Sequence, residues 1–180
     1  FHLAGEMPRL IEVNTNAGGG MLAYLAQAPA LPVDYQSLPA KFRKRLLQTF
    51  SDEIKKHSTG AKLKPERIAI IDENPTEQYL YPEMAAFADL FRAWGVPTEI
   101  VEPRRLHASA EGVSFDGQAI DLVYNRHCDF YLASDEMAGL RQAYLASKVC
   151  LTPNPHMYGL LADKRRMILW SDPQQRASWH

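Results

Sequence analysis

The chain alternates short, almost wholly apolar runs with longer segments in which apolar residues recur every three to four positions. "RLIEVN" (9–14), "RIAIID" (67–72), "TEIVE" (98–102), "IDLVYN" (120–125) and "KVCLT" (148–152) are of strand length and rich in β-branched residues, which predicts five strands. Between them, Phe42, Leu46, Leu47, Phe50 and Ile54 share one helical face. Met84, Phe87, Leu90, Phe91 and Trp94 share another, which closes on Gly95 and Pro97 as helix C-termini do. Strands of near-continuous apolar character spaced by amphipathic helices predict an α/β fold with a mostly parallel sheet covered by helices on both faces, Rossmann-like in outline. "VSFDGQAI" (113–120) carries an Asp-Gly turn and reads as a small hairpin, and the Pro-rich stretch 28–39 reads as a loop.

Composition narrows the function classes. The 180 residues are 46% hydrophobic and 23% charged, the balance of a soluble globular protein. Twenty basic against 21 acidic side chains leave a net charge of -1, which removes the global basic field of a nucleic-acid binder. No apolar span is long enough for a bilayer and no signal-peptide plan opens the chain. Cys128 and Cys150 form no CxxC pair, so a reducing, cytoplasmic setting is expected and neither a zinc ribbon nor a redox motif is indicated. The chain begins without Met and stops just after an amphipathic segment, as a piece of a longer protein would.

Candidate chemistry collects after the strands, where ligands bind in open parallel sheets. Glu12 and Asn14, at i and i+2 of the first expected strand, project to one face and offer two hard oxygen donors suited to Mg²⁺; the alternative is a strand-end acid and amide bonded to loop backbone. The glycines that follow can expose N–H groups to an anion or simply make a tight turn. They form neither a P-loop nor a GxGxxG fingerprint. Arg126 can clamp a carboxylate with two parallel hydrogen bonds or pair with Asp121, Asp129 or another acid. His127 reads either as a base or as a packed side chain. Asp163, Lys164, Arg165 and Arg166 form the polar face of an amphipathic helix around Tyr158, Leu161, Met167 and Ile168, from which Lys164 could reach a phosphate.

Taken in order, E-x-N-T with its glycines, the Glu-Asn-x-x-x-Gln turn, V-Y-x-R, and a Leu-Ala-x-Lys segment resemble the substrate-binding, pre-ATP-grasp part of the eukaryotic-type glutathione synthetases, members of the ATP-grasp superfamily. The chain is also similar to uncharacterised bacterial ATP-grasp-like proteins with "EINTNAGG"-type and "ADKR"-type segments. The likeness is one of motif order across residues 8–170, with Asn-Ala-Gly where the synthetase loop has serines.

The chain fits one compact unit, with an N-terminal strand, glycine-rich loop and linker over 1–39 and an α/β substrate-binding domain over 40–180, expected to be a fragment of a longer ATP-grasp protein. By the resemblance, Glu12 and Asn14 would be magnesium ligands. Asn16, Ala17, Gly18, Gly19, Asn74, Gln78 and Arg126 would lie at the substrate, Arg126 also serving catalysis as a cation, and Glu12 and Lys164 would lie at the ATP. The implied function is the substrate-binding portion of an ATP- and Mg²⁺-dependent carboxylate-amine ligase acting through an acyl phosphate on an amino acid or peptide, its ATP-grasp lobes lying elsewhere in the same polypeptide. A homodimer is compatible with this reading. Two rivals are a non-catalytic small-molecule or peptide-binding module, and a nicotinamide-dependent oxidoreductase, which the missing fingerprint opposes.

Overall fold

The computed structural model describes residues 2–15, 18–26 and 33–178. The chain opens with a two-stranded antiparallel hairpin, β1 (His2–Ala4) and β2 (Met7–Arg9), turned at Gly5 in the left-handed region. A short helix, α1 (Gly20–Leu25), and a long one, α2 (Ala40–His57), lead into the first central strand, β3 (Ile68–Ile71). Next come α3 (Tyr81–Ala93), β4 (Thr98–Val101) and a three-stranded meander of β5 (His107–Ser109), β6 (Gly112–Phe115) and β7 (Gln118–Ile120). Strand β8 (Leu122–Asn125), helix α4 (Ala138–Leu145) and strand β9 (Cys150–Thr152) complete the sheets.

Four of these strands form a parallel sheet in the order β4-β3-β8-β9. All four residues of β3 are buried, as the unbroken apolar run "IAII" requires of a strand covered on both sides. Alternation then divides the core. Ile68, Ile70 and Leu122 pack with Phe50 and Ile54 of α2 and Met84, Phe87 and Phe91 of α3. Ala69, Ile71, Val123 and Leu151 pack on the opposite face with Leu140 and Ala143 of α4 and with Val113 and Ile120 of the meander. The fold is thus α/β with a parallel sheet of four strands and two added antiparallel sheets. On the second face a helix and the meander share the cover that helices alone were expected to provide.

The four later strands fall where the apolar runs lie. Asp116 and Gly117 both take positive φ, the type I′ pattern that the Asp-Gly pair favours. Two expectations are corrected. Residues 10–14 form no strand, and the preceding hairpin pairs Arg9 with His2 and leaves Leu10 and Ile11 exposed. Pro8 within β2 suits a strand that stands at an edge.

The segment expected to be one amphipathic helix is broken into α5 (Pro155–Met157), a wide turn over Tyr158–Ala162, α6 (Arg165–Ser171) and α7 (Pro173–Ala177). The break lies at Asp163, whose backbone is extended. Its carboxylate accepts from the Arg165 N–H at 3.0 Å and from the Tyr131 hydroxyl at 2.6 Å. Asp163 is therefore buried at the break before α6 and no part of a solvated face.

Candidate functional site

Strands β3 and β8 are neighbours in the sheet, but the chain leaves them in opposite directions, through α3 to β4 and through α4 to β9. Such a reversal opens a crevice at the carboxyl ends of the two strands. Asp72 follows β3 and Arg126 follows β8, and the Arg126 N–H extends the ladder by donating to the Ile71 carbonyl at 2.9 Å. A cleft of about 510 Å³ lies at this edge, with Asn14, Gly18, Asp72, Gln78, Arg126 and Phe130 in its lining. A second cleft, of about 330 Å³, shares Asn14 and Phe130 with it and adds Glu12 and Lys164.

The Arg126 side chain is 2% exposed, and it meets a carboxylate of the protein itself. Its Nη2 lies 3.0 Å from Oε2 of Glu83, which is fully buried in the first turn of α3. Nη1 donates to the Tyr124 hydroxyl at 3.0 Å, and the guanidinium lies 5.5 Å from the centre of that ring. Burial opposes the Arg126 charge, but Tyr124 and Glu83 outweigh it and hold the group more firmly protonated than an exposed arginine.

Glu83 also takes up the glycine-rich loop. Oε2 accepts from the Gly19 N–H at 2.7 Å, and Oε1 accepts from Met21 at 2.7 Å and from Leu22 at 3.3 Å. These are the donors left open at the start of α1. The nest read from the glycines is thus filled in cis. A β-carbon on Gly18 would stand 2.6 Å from Nη2 of Arg126, so the backbone lies directly on the ion pair, and Gly19 takes φ +88°.

The remaining sequence-derived residues divide. Gly18 and Gln78 reach the larger cleft, where the Gln78 amide donates to the Glu73 carbonyl at 2.6 Å and closes the turn after β3. Asn74 lines neither cleft. It is exposed and takes φ +41°, a turn role that asparagine tolerates. Glu12 and Asn14 stand on irregular backbone rather than on one strand face, and the Glu12 carboxylate lies 3.5 Å from the Lys164 ammonium. Asn16 and Ala17 lie outside the described residues.

His127 is packed: Nδ1 accepts from the Asp129 N–H at 3.0 Å, so the ring proton sits on Nε2, which is buried 3.3 Å from Glu136. The acids weighed as partners of Arg126 have other duties. Asp121 accepts from Glu66, Arg67 and Lys62 at the far end of β8, and Asp129 accepts from Ser134.

Reading the sequence for motifs passed over Glu83, although its spacing to Phe87, Leu90 and Trp94 puts a carboxylate on an otherwise apolar face, which signals a buried partner. It also passed over Asp72, the closing residue of the run "RIAIID". Burial pushes the Asp72 carboxyl above its ordinary range, against the opposing pull of the Glu73 N–H, His127 and Arg126.

The folded state therefore binds that proton more readily than the unfolded chain does. The stability linked to it is complete below the ordinary carboxylate range and lost as pH rises through the raised value. Asp72→Asn should melt about a degree or two higher than the parent at neutral pH. The gain should vanish on acidification, and a pH-independent difference in thermal melts would refute the linkage.

No protein-family model matches the chain, and no curated protein matches it. Among the described residues no three His, Cys, Asp or Glu side chains gather closely enough to hold a metal ion by themselves, and no helix is long and apolar enough to cross a membrane. Magnesium, however, commonly takes only one or two protein ligands and completes its shell with water and phosphate. A carboxylate, an amide and an ammonium around one cleft, from Glu12, Asn14 and Lys164, are a donor set compatible with a magnesium–nucleotide complex.

Proposed function

We propose that the chain is the substrate-binding portion of an ATP-dependent carboxylate-amine ligase of the ATP-grasp type, with a Rossmann-like pre-ATP-grasp fold. The observation that carries this reading is convergence. Asn14 and Gly18 of the first motif, Gln78 of the second and Arg126 of the third lie far apart in the chain yet line one cleft at the carboxyl edge of the parallel sheet, and Glu12 and Lys164 line the cleft beside it. Volumes of about 510 and 330 Å³ suit small organic substrates.

In this reading Glu12 and Asn14 hold magnesium and Lys164 approaches the phosphates of ATP. ATP supplies the phosphoryl group that activates a substrate carboxylate for attack by an amine. Gly18 and Gln78 shape the substrate cleft, and Arg126 acts on it as a fixed, internally neutralised wall. No protein nucleophile is needed, in keeping with a cleft whose histidine accepts from the Asp129 N–H through Nδ1.

The test is phosphate release by the full-length polypeptide supplied with ATP, Mg²⁺ and a mixture of amino acids, dipeptides and aliphatic amines. Turnover that needs both an acid and an amine is expected, and Glu12→Ala should reduce it at least tenfold with little change in melting temperature. Absence of phosphate release under every combination, with small-molecule binding retained, would replace the ligase by a non-catalytic binding module.

A further inference from the structure

The charges along the larger cleft do not favour an anion. Among the described residues its one lining guanidinium, that of Arg126, is matched by fully buried Glu83, and the Nδ1 of its imidazole accepts from the Asp129 N–H and so has no hydrogen to offer an anion. The other charged groups on its wall are two carboxylates, Asp72 at the end of β3 and Glu73 at the exposed rim. Asp72 Oδ1 accepts one backbone N–H, from Glu73 at 2.9 Å, which leaves the half-buried carboxylate with lone pairs to offer a ligand. Two carboxylates at the crevice, with the one guanidinium already paired to Glu83, make the opening more favourable to a cation than to an anion.

We propose that this cleft receives the ammonium end of its ligand, a protonated aliphatic amine, with Asp72 as the specificity-determining contact. Calling that ligand the substrate rests on the ligase reading above; the preference for a cation does not. Burial disfavours the ionised Asp72 carboxyl, and an ammonium beside it favours that form, offsetting the desolvation by charge attraction and hydrogen bonding. Phe130, stacked on Tyr158 at 4.4 Å between ring centres, adds an aromatic wall of the kind that tolerates a neighbouring cation. The volume of about 510 Å³ leaves room for more than the ammonium itself.

Two rods of similar length and opposite charge test this directly. The 180-residue chain is titrated with 1,4-diaminobutane and with succinate at neutral pH and low ionic strength, followed by calorimetry or by amide chemical shifts. The diamine should bind saturably and more tightly than succinate. Asp72→Asn, which should fold at least as well as the parent, should weaken the diamine about tenfold or more, whereas Asp89→Asn on the surface of α3 should not. Tighter binding of succinate, no saturable binding of the diamine, or equal effects of the two substitutions would each overturn the proposal. Diamine binding that persists when the full-length polypeptide releases no phosphate would sink only the ligase, and phosphate release without diamine binding would sink only this inference.

Discussion

Glu83→Ala is expected to lower the melting temperature by roughly 6–20 °C, the equivalent of about 3–5 kcal/mol lost when one member of a buried ion pair is removed. The magnitude follows from what the carboxylate holds. Three backbone N–H groups at the start of α1 and the guanidinium of Arg126 all point at its two oxygens, and neither residue of the pair reaches solvent appreciably. Deleting Glu83 leaves a buried cation and unsatisfied amides at once. Removing the cation as well should return part of the loss, so Glu83→Ala with Arg126→Met should cost less than the sum of the two single variants. Thermal melts of the three variants decide the matter. A shift for Glu83→Ala of under about 2 °C, or strict additivity, would show that the pair does not clasp the loop.

Gly139→Ala should also destabilise, against the usual preference of helices for alanine. Gly139 lies in the first turn of α4, where a β-carbon would fall 2.2 Å from the carbonyl oxygen of Ala108 in β5. The obstacle is backbone, which cannot swing aside as a long side chain can. Alanine gains about 1 kcal/mol over glycine in an unhindered helix, whereas forced overpacking typically costs about 1–3 kcal/mol. Here the steric cost should win, because α4 cannot move away without withdrawing Leu140 and Ala143 from the core they share with β3 and β8. Denaturant titration should show a lower midpoint at unchanged slope. Gly20, where an added methyl would meet nothing within 4 Å, should accept alanine without loss. A gain in stability for Gly139→Ala would mean that α4 does not press on β5.

The parallel strands were legible in the sequence because burial on both faces demands unbroken apolar runs, and "RIAIID" and "IDLVYN" meet that demand. "RLIEVN" imitates them over the same length with Glu12 interrupting its apolar run, but Pro8 and the Gly5 turn commit its first residue to a hairpin before any sheet edge is reached. Local pattern carries no information about which neighbour a strand will find. The position of the cleft was legible, since polar residues after parallel strands converge at one edge. Its electrostatics were not, because the partner of Arg126 lies in a different helix and only the β3–α3 connection brings it near. Asn74 was expected at the substrate from the resemblance alone, and it stands in a left-handed turn outside the lining of both clefts.

The clasp of the glycine-rich loop has a consequence in time. Gly19 and Glu83 are 64 positions apart, so during synthesis the loop emerges long before its acceptor is made, by roughly 3–13 s at about 5–20 residues per second. A helix of six residues does not persist alone in water. Met21 and Leu25, buried in the finished core, therefore wait uncovered until α3 delivers its carboxylate, and the glycine-rich loop and α1 settle only after the segment that follows β3 has been made.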